Sequence, residues 1–251
     1  MKIKCNYISG ALGRAVDICI AVPSPVYPEV LGYAGKAEFM PKADYPVLYL
    51  LGGIGNDCNS VFDYTRAQLY AEEYNIAIVS VSGENKFYAD AGEEKFSEFL
   101  EEELPLMVGG YFPVSKRAED TYIAGLSMGG YGALLHFLKR PERFRAVGCF
   151  SGAVGKFEFA ETEAGKDYNI YKLLEKKGGI SGDIYLSCGS EDFIKDCSYK
   201  LKNYLEEKNI EFSWKEAAGY GHEWRFWDGE IEEFIKWLPR TDFYKDKRRK
   251  V

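Results

Sequence analysis

Apolar residues recur with a period of two over residues 2–8 and again over residues 16–22. A two-residue period places alternate side chains on opposite faces of an extended chain, so these segments predict two strands. Their proximity along the chain indicates an antiparallel pair. The second strand should end at Pro23, because proline has no backbone N–H to donate to a sheet.

Five further apolar segments are short and lack polar alternation: residues 47–51, 76–79, 121–124, 146–150 and 184–188. Uninterrupted apolar segments are typical of strands that are covered on both faces, as in parallel sheets. Segments with the helical period lie at residues 61–74, 96–108, 130–139 and 195–208. Residues 211–217 predict an edge strand, and residues 224–238 predict a closing helix.

The alternation of strand and helix predicts an α/β fold with a mostly parallel central sheet and helices on both faces. We interpret residues 1–251 as one domain. Pro105 lies inside the segment 96–108 and should kink it or begin a new turn. Residues 151–182 are the least regular, and they form either a small lid or a long surface connection.

Charge and composition narrow the classes of function. The 32 Lys and Arg against 39 Asp and Glu give a net charge of −7, and 46% of the residues are hydrophobic. This composition excludes global disorder, and the acidic balance argues against a nucleic-acid partner. The only basic cluster lies in the terminal segment 240–251, which we expect to be a solvated tail rather than an address or a surface patch.

The cysteines and histidines exclude further classes. Six cysteines without a CxxC pair indicate reduced thiols. Because there are only two histidines and the cysteines lack ligand spacing, we expect no metal, and no cofactor is implied. No apolar segment has the length of a membrane span and the N-terminus lacks the pattern of a secretory signal, so we expect a cytoplasmic protein without a membrane partner.

Residues 125–129 form a G-x-S-x-G motif directly after an apolar strand and directly before a helical segment. A sharp turn there would present the hydroxyl of Ser127 above the sheet, and the flanking glycines leave room for its strained backbone. The amide of Met128 would lie at a helix N-terminus, where it can donate to an oxyanion. The alternative is a turn whose serine merely caps the helix.

A nucleophilic serine needs a base, and the chain contains only His136 and His222. His136 lies nine residues after Ser127 on the predicted helix, about 13 Å along its axis, and cannot reach it. His222 is therefore the predicted base. Its carboxylate partner is Glu191, Asp192 or Asp196, of which spacing slightly favours Asp192, in the loop after a buried strand.

The second oxyanion donor should come from the glycine-rich residues 52–56, which directly follow the strand at 47–51. Glycine lets the backbone approach a reacting carbonyl. The amide of Ile54 is the preferred donor and that of Gly53 the second choice. The alternative is an ordinary turn at the end of a strand.

Several stretches together resemble a known family: YPVLYLL at 45–51, AGLSMGGYG at 124–132, FSGA at 150–153, CGSEDF at 188–193, GHEW at 221–224, Trp227, and WLP at 237–239. The chain resembles the "putative esterase" family of α/β hydrolases, which includes esterase D, S-formylglutathione hydrolases and feruloyl esterases. It looks closest to the tributyrin esterase branch. The resemblance implies the α/β-hydrolase fold, Asp192 as the triad acid and Ile54 as an oxyanion donor. It also shows one departure, since Gly52 replaces the usual histidine of the oxyanion loop.

We therefore expect a serine carboxylesterase that hydrolyses short-chain acyl esters, acetyl to butyryl, because no long apolar lid segment is evident. Its partner would be a small-molecule ester, and the sequence does not decide whether the chain forms a homo-oligomer. Residues 82–90, with Phe87 and Tyr88, either line the pocket, as the resemblance implies, or are surface aromatics. The alternatives are an S-formylglutathione-type thioester hydrolase, an acyltransferase and a non-catalytic binding protein of the same fold.

Overall fold

The structure is a computed structural model that describes residues 1–155, 167–176 and 182–249. Its strands are β1 (Lys2–Ser9), β2 (Arg14–Ala21), β3 (Val47–Leu51), β4 (Ala77–Val81), β5 (Thr121–Leu126), β6 (Ala146–Phe150), β7 (Asp183–Gly189) and β8 (Ser213–Ala217). They form one sheet in the order β1-β2-β4-β3-β5-β6-β7-β8. The predicted strands are thus all present.

The hairpin of β1 and β2 is antiparallel, with Lys2 opposite Ala21 and Ser9 opposite Arg14. Strand β2 also pairs antiparallel with β4, whereas every pairing from β4 through β8 is parallel. All residues of β3, β4 and β6 are buried, which explains why these segments lack polar alternation. The predicted α/β architecture with an antiparallel N-terminal hairpin is confirmed.

Helices cover both faces of this sheet. They are α1 (Tyr27–Val30), α2 (Ser60–Tyr64), α3 (Ala67–Tyr74), α4 (Phe96–Glu98), α5 (Leu104–Tyr111), α6 (Met128–Lys139), α7 (Ile170–Lys176), α8 (Lys195–Glu207) and α9 (Trp224–Trp237). Alternate residues of β3 separate into two hydrophobic clusters. Tyr49 belongs to the same cluster as Phe99 and Leu135 of α6, whereas Leu48 belongs to the cluster that contains Phe234 of α9.

The segment 61–74, expected to be one helix, is two helices. Thr65 is extended, with φ −135° and ψ 172°, and its hydroxyl donates to the carbonyl of Val61. The amide of Arg66 donates to the Asp228 carboxylate of α9 at 2.8 Å. A contact with the distant helix α9 therefore accompanies the interruption, which local periodicity cannot show.

A five-residue π turn, Phe99–Glu103, joins α4 to α5. Pro105 follows this π turn as the second residue of α5, and the residues before it, Glu103 and Leu104, keep helical backbone angles. The helical segment therefore continues through Pro105, and the irregularity expected there takes the form of the π turn directly before it.

The irregular segment 151–182 lies partly outside the described residues, which leaves its interpretation as a lid a prediction. Within the described part, α7 is a helix that the sequence pattern did not predict. The expectation of a solvated basic tail is wrong for Arg249, because its guanidinium donates to Glu29 and to the carbonyl of Ser24. Arg249 contacts partners from the opposite end of the chain, so sequence position alone could not reveal this packing.

All six cysteines lie in the described residues and none of them forms a disulfide; the thiol of Cys19 donates to Cys58 Sγ at 3.3 Å. Within the described ranges, no helix combines the length and apolarity that crossing a membrane requires.

Candidate active site

Ser127 occupies the turn between β5 and α6 with φ +55° and ψ −116°. This backbone region is strained for any residue with a side chain, and such strain clusters at functional sites. A Cβ atom added to Gly125 would lie 2.1 Å from the carbonyl oxygen of Gly129, and one added to Gly129 would lie 2.1 Å from that of Leu51. The turn therefore requires glycine on both sides of Ser127, as the motif predicts.

The structure brings Ser127 and His222 together. His222 lies between β8 and α9, and its Nε2 is 2.9 Å from Ser127 Oγ. Its Nδ1 is 2.8 Å from Asp192 Oδ2, in the loop after β7. Strands β5, β7 and β8 run parallel, so their carboxyl ends meet at one edge of the sheet and place the three side chains there.

Asp192 is 2% exposed, and its Oδ1 accepts a hydrogen bond from the Ile194 amide at 2.8 Å. Burial by itself would raise the pKa of Asp192, but the hydrogen bond from His222, the nearby Ser151 hydroxyl and the Ile194 amide outweigh it and lower that pKa. The side chain is therefore a carboxylate that only accepts hydrogen bonds. His222 Nδ1 consequently carries the hydrogen, and Nε2 is left to accept the proton of Ser127.

The two other carboxylates that the sequence allowed lie elsewhere. Glu191 is exposed, and Asp196 is exposed in the first turn of α8. Neither forms the hydrogen bond to His222. Side-chain direction, which the spacing along the chain cannot show, separates Asp192 from its neighbour.

Two aromatic rings flank the imidazole of His222. The Trp227 ring is buried and lies edge-on, with 4.8 Å between the ring centroids. The Phe193 ring has a centroid 4.7 Å from that of His222 and is 75% exposed. The base is thus held between a buried and an exposed aromatic side chain.

The glycine-rich loop after β3 lies directly against the serine. A Cβ atom added to Gly53 would lie 3.4 Å from Ser127 Cβ. The Gly53 amide donates to Asn56 Oδ1 at 2.8 Å, so it is already engaged. In the part of the chain that the structure describes, the Ile54 amide donates to no acceptor, and Met128 lies at the N-terminus of α6, where amides lack intrahelical partners. These two amides are therefore available to an oxyanion.

His136 lies away from Ser127. It is fully buried, with Nε2 2.9 Å from the Tyr88 carbonyl oxygen and Nδ1 2.9 Å from Glu101 Oε1. Tyr88 is itself 1% exposed, and its hydroxyl donates to the Gly52 carbonyl at 3.0 Å. Tyr88 is therefore not a surface aromatic. Its contact with the oxyanion loop was not predicted from the sequence, because no local signal indicates it.

Among the described residues, no group of three or more histidine, cysteine, aspartate or glutamate side chains could hold a metal ion. The polar groups gathered at the carboxyl edge of the sheet are a hydroxyl, an imidazole, a buried carboxylate and two available amides. This set can perform nucleophilic acyl transfer.

The sheet order and the strained serine between β5 and α6 define a protein of the α/β-hydrolase fold. The model of the family described as "Putative esterase" matches residues 31–239. The chain belongs to this family, which makes it an esterase.

Named relatives agree with this membership. The chain is 32% identical to an acetyl esterase of Caldicellulosiruptor saccharolyticus, over 77% of this chain and 83% of the relative. It is 27% identical to an S-formylglutathione hydrolase of Paracoccus denitrificans (strain Pd 1222), over 76% and 81%. Its fold matches FphF, a fluorophosphonate-binding serine hydrolase of Staphylococcus aureus, with a TM-score of 0.82, 22% identity and coverage of 96% and 99%.

Proposed function

We propose that the protein is a serine carboxylesterase that hydrolyses acetyl to butyryl esters through Ser127, His222 and Asp192. One observation carries the proposal, namely the hydrogen-bonded series in which His222 contacts both Ser127 Oγ and the Asp192 carboxylate. A serine hydroxyl is a weak nucleophile, and an adjacent base that is itself oriented by a carboxylate activates it.

In the first half of the reaction, Ser127 Oγ attacks the ester carbonyl carbon while His222 Nε2 takes the hydroxyl proton. The tetrahedral intermediate collapses as the bond to the alcohol oxygen breaks, and His222 gives its proton to that oxygen. The alcohol leaves and the acyl group stays on Ser127. Asp192 stabilises the imidazolium and holds its tautomer.

In the second half, water attacks the acyl carbon and gives a proton to His222 Nε2. The bond between the acyl group and Ser127 Oγ breaks, and the proton returns to that oxygen. The carboxylic acid leaves and the enzyme regains its starting state. The amides of Ile54 and Met128 stabilise the negative oxygen of both tetrahedral intermediates, and loss of one such donor costs about 10²- to 10³-fold in kcat.

One observation supports a short acyl chain. The relative at 32% identity is named an acetyl esterase.

Thioester hydrolysis is the second candidate, because one relative is named S-formylglutathione hydrolase. We place the ester ahead of the thioester because the relative named an acetyl esterase shares more of this sequence, 32% against 27%.

A substrate panel tests the proposal. The purified protein and its Ser127→Ala variant are assayed with p-nitrophenyl acetate, butyrate and octanoate and with S-formylglutathione, and both are treated with a fluorophosphonate probe. We expect the acetate and butyrate to be the best substrates, and Ser127→Ala to lose kcat by roughly 10⁶-fold together with labelling.

Ser213→Ala is the matched control, because Ser213 Oγ accepts a hydrogen bond from Trp237 at the edge of the sheet. It should stay active and labelled. A strong preference for S-formylglutathione would favour the second candidate. Absence of both labelling and turnover in the unmodified protein would show a non-catalytic member of the fold.

A further inference from the structure

The loop that carries the Ile54 amide has no side chain of its own at Gly52 to hold it. A Cβ atom added to Gly52 would lie 3.0 Å from Asn56 Cβ and 3.3 Å from Asn56 Oδ1. The Asn56 side chain therefore fills this space, and its Oδ1 accepts the hydrogen bond of the Gly53 amide. Asn56 thus restrains the loop from within.

A second restraint reaches the loop from the buried side. The Tyr88 hydroxyl donates to the Gly52 carbonyl oxygen at 3.0 Å, and burial raises the pKa of Tyr88, which keeps the hydroxyl protonated as a donor. The ring lies between two glycines. A Cβ atom added to Gly83 would lie 2.5 Å from its Cζ, and one added to Gly132 would lie 2.6 Å from its Cδ2. Only glycine at these positions leaves room for the ring.

The backbone of Tyr88 is fixed as well. Its φ of +57° lies in the left-handed region, which bulky residues rarely adopt without support. Nε2 of the fully buried His136 donates to the Tyr88 carbonyl oxygen, because a carbonyl can only accept. The other ring nitrogen of His136 is hydrogen-bonded with Glu101, in the π turn Phe99–Glu103.

These contacts form a continuous series from His136 in α6, through Tyr88, to the Gly52 carbonyl. The same helix α6 begins directly after Ser127, so one rigid element supports both the nucleophile and the loop that faces it. Transition-state stabilisation requires donors that are fixed before the reaction, since a mobile donor must be ordered at the expense of rate.

We propose that Tyr88, supported by His136, and Asn56 are positioning residues of the oxyanion loop, which hold Gly52 and Gly53 so that the Ile54 amide stays available to the oxyanion. Neither side chain touches the reacting atoms. The proposal rests on the proposed esterase function and adds to it the two groups that maintain one oxyanion donor.

The test compares Tyr88→Phe with Tyr122→Phe. Tyr122 is also fully buried, and its hydroxyl also donates to a backbone carbonyl, that of Glu119, next to the start of β5 and at the opposite end of that strand from Ser127. Each variant loses one buried hydroxyl, so a general loss of stability affects both. We measure kcat and KM for p-nitrophenyl acetate in each variant. We also measure the dissociation constant of butylboronic acid, because its adduct with the serine places an oxygen in the oxyanion position.

We expect Tyr88→Phe to lower kcat by about 10-fold and to weaken the binding of butylboronic acid by a similar factor, while KM changes by less than about two-fold. Tyr122→Phe should keep kcat and boronic acid affinity within about two-fold of the unmodified protein. If Tyr88→Phe matches Tyr122→Phe in an active enzyme, the proposed role of Tyr88 is overturned. If the unmodified protein neither hydrolyses the ester nor binds the boronic acid, the esterase function itself has failed.

Asn56→Ala provides a second test that does not depend on the folding of Tyr88→Phe. Asn56 is only half-buried, so its truncation leaves the core intact. It should show the same pattern, a loss in kcat and in boronic acid affinity at unchanged KM. Unchanged kcat in this variant would overturn the role of Asn56.

Discussion

Asp192 and His222 are joined by a hydrogen bond of 2.8 Å between Oδ2 and Nδ1, and the second oxygen of Asp192 accepts the Ile194 amide at the same distance. The carboxylate is thereby fixed in the orientation that determines which ring nitrogen of His222 faces Ser127. The adjacent Glu191 has no such arrangement and is exposed.

Asp192→Asn should reduce kcat for p-nitrophenyl acetate by about 10⁴-fold, because an amide at this position favours the tautomer that presents Nε2–H to Ser127. Glu191→Gln is the control and should stay within about two-fold of the unmodified enzyme. Steady-state kinetics at neutral pH measure both. A larger loss in Glu191→Gln than in Asp192→Asn would show that the acid has been assigned incorrectly.

Phe193→Ala should impair aromatic esters selectively. The exposed Phe193 ring lies beside His222, which protonates the leaving alcohol, so an aryl alcohol can pack against it. An aromatic pair contributes about 0.5–1.5 kcal/mol, which predicts a loss of about 2- to 12-fold in kcat/KM for phenyl acetate and little change for ethyl acetate.

Phe243→Ala serves as the control for Phe193→Ala, since Phe243 is 48% exposed in the C-terminal segment. It should leave both esters unaffected. An equal loss for phenyl and ethyl acetate in Phe193→Ala would mean that the ring supports His222 rather than the alcohol.

Asp242 should make stability depend on pH at the acid end. It accepts hydrogen bonds from the Arg240 guanidinium and the Tyr244 amide, each at 2.8 Å. Burial would raise the pKa of Asp242, but the hydrogen bonds and charge of Arg240 outweigh it and lower that pKa. The stabilisation is therefore complete above the usual pKa of about 4 and is lost as the pH falls through the lower folded-state pKa.

Urea unfolding of the unmodified protein and of Asp242→Asn at pH 7 and at about pH 3 tests this expectation. The difference in unfolding free energy between the two should be largest at pH 7 and should shrink at acid pH. Asp246→Asn, at an exposed position, should show almost no difference at either pH. A difference that grows on acidification would contradict the sign.

Arg249→Ala should destabilise the fold, because the Arg249 side chain is only 17% exposed and donates hydrogen bonds to the Glu29 carboxylate and to the Ser24 carbonyl. We expect the free energy of unfolding to fall by about 1–3 kcal/mol, since partly buried partners lose charged hydrogen bonds. Arg248→Ala is the control. That side chain is 57% exposed beside Glu73, and its loss should cost less than about 1 kcal/mol. Equal losses in the two variants would show that Arg249 is not specifically anchored.

Local pattern alone determined the strands and the nucleophilic serine of this protein, but not every helix. The residues of β3, β4 and β6 are consecutively apolar because each is buried, and those of β1 alternate because alternate side chains are exposed. The turn around Ser127 requires glycine two positions away on either side. These constraints act between neighbours in the chain, so the sequence displays them directly.

The tertiary structure decided the contacts between distant segments. Helices α2 and α3 are separate, and the amide of Arg66 between them donates to Asp228. Tyr88 contacts Gly52 because the sheet order places β3 beside β4 and β5. Asp192, rather than Glu191, reaches His222 because side-chain direction follows from the path of the loop after β7. Hydrogen bonds of this kind form only when donor and acceptor atoms of remote residues are placed to within a few tenths of an ångström, and neither periodicity nor spacing along the chain contains that information.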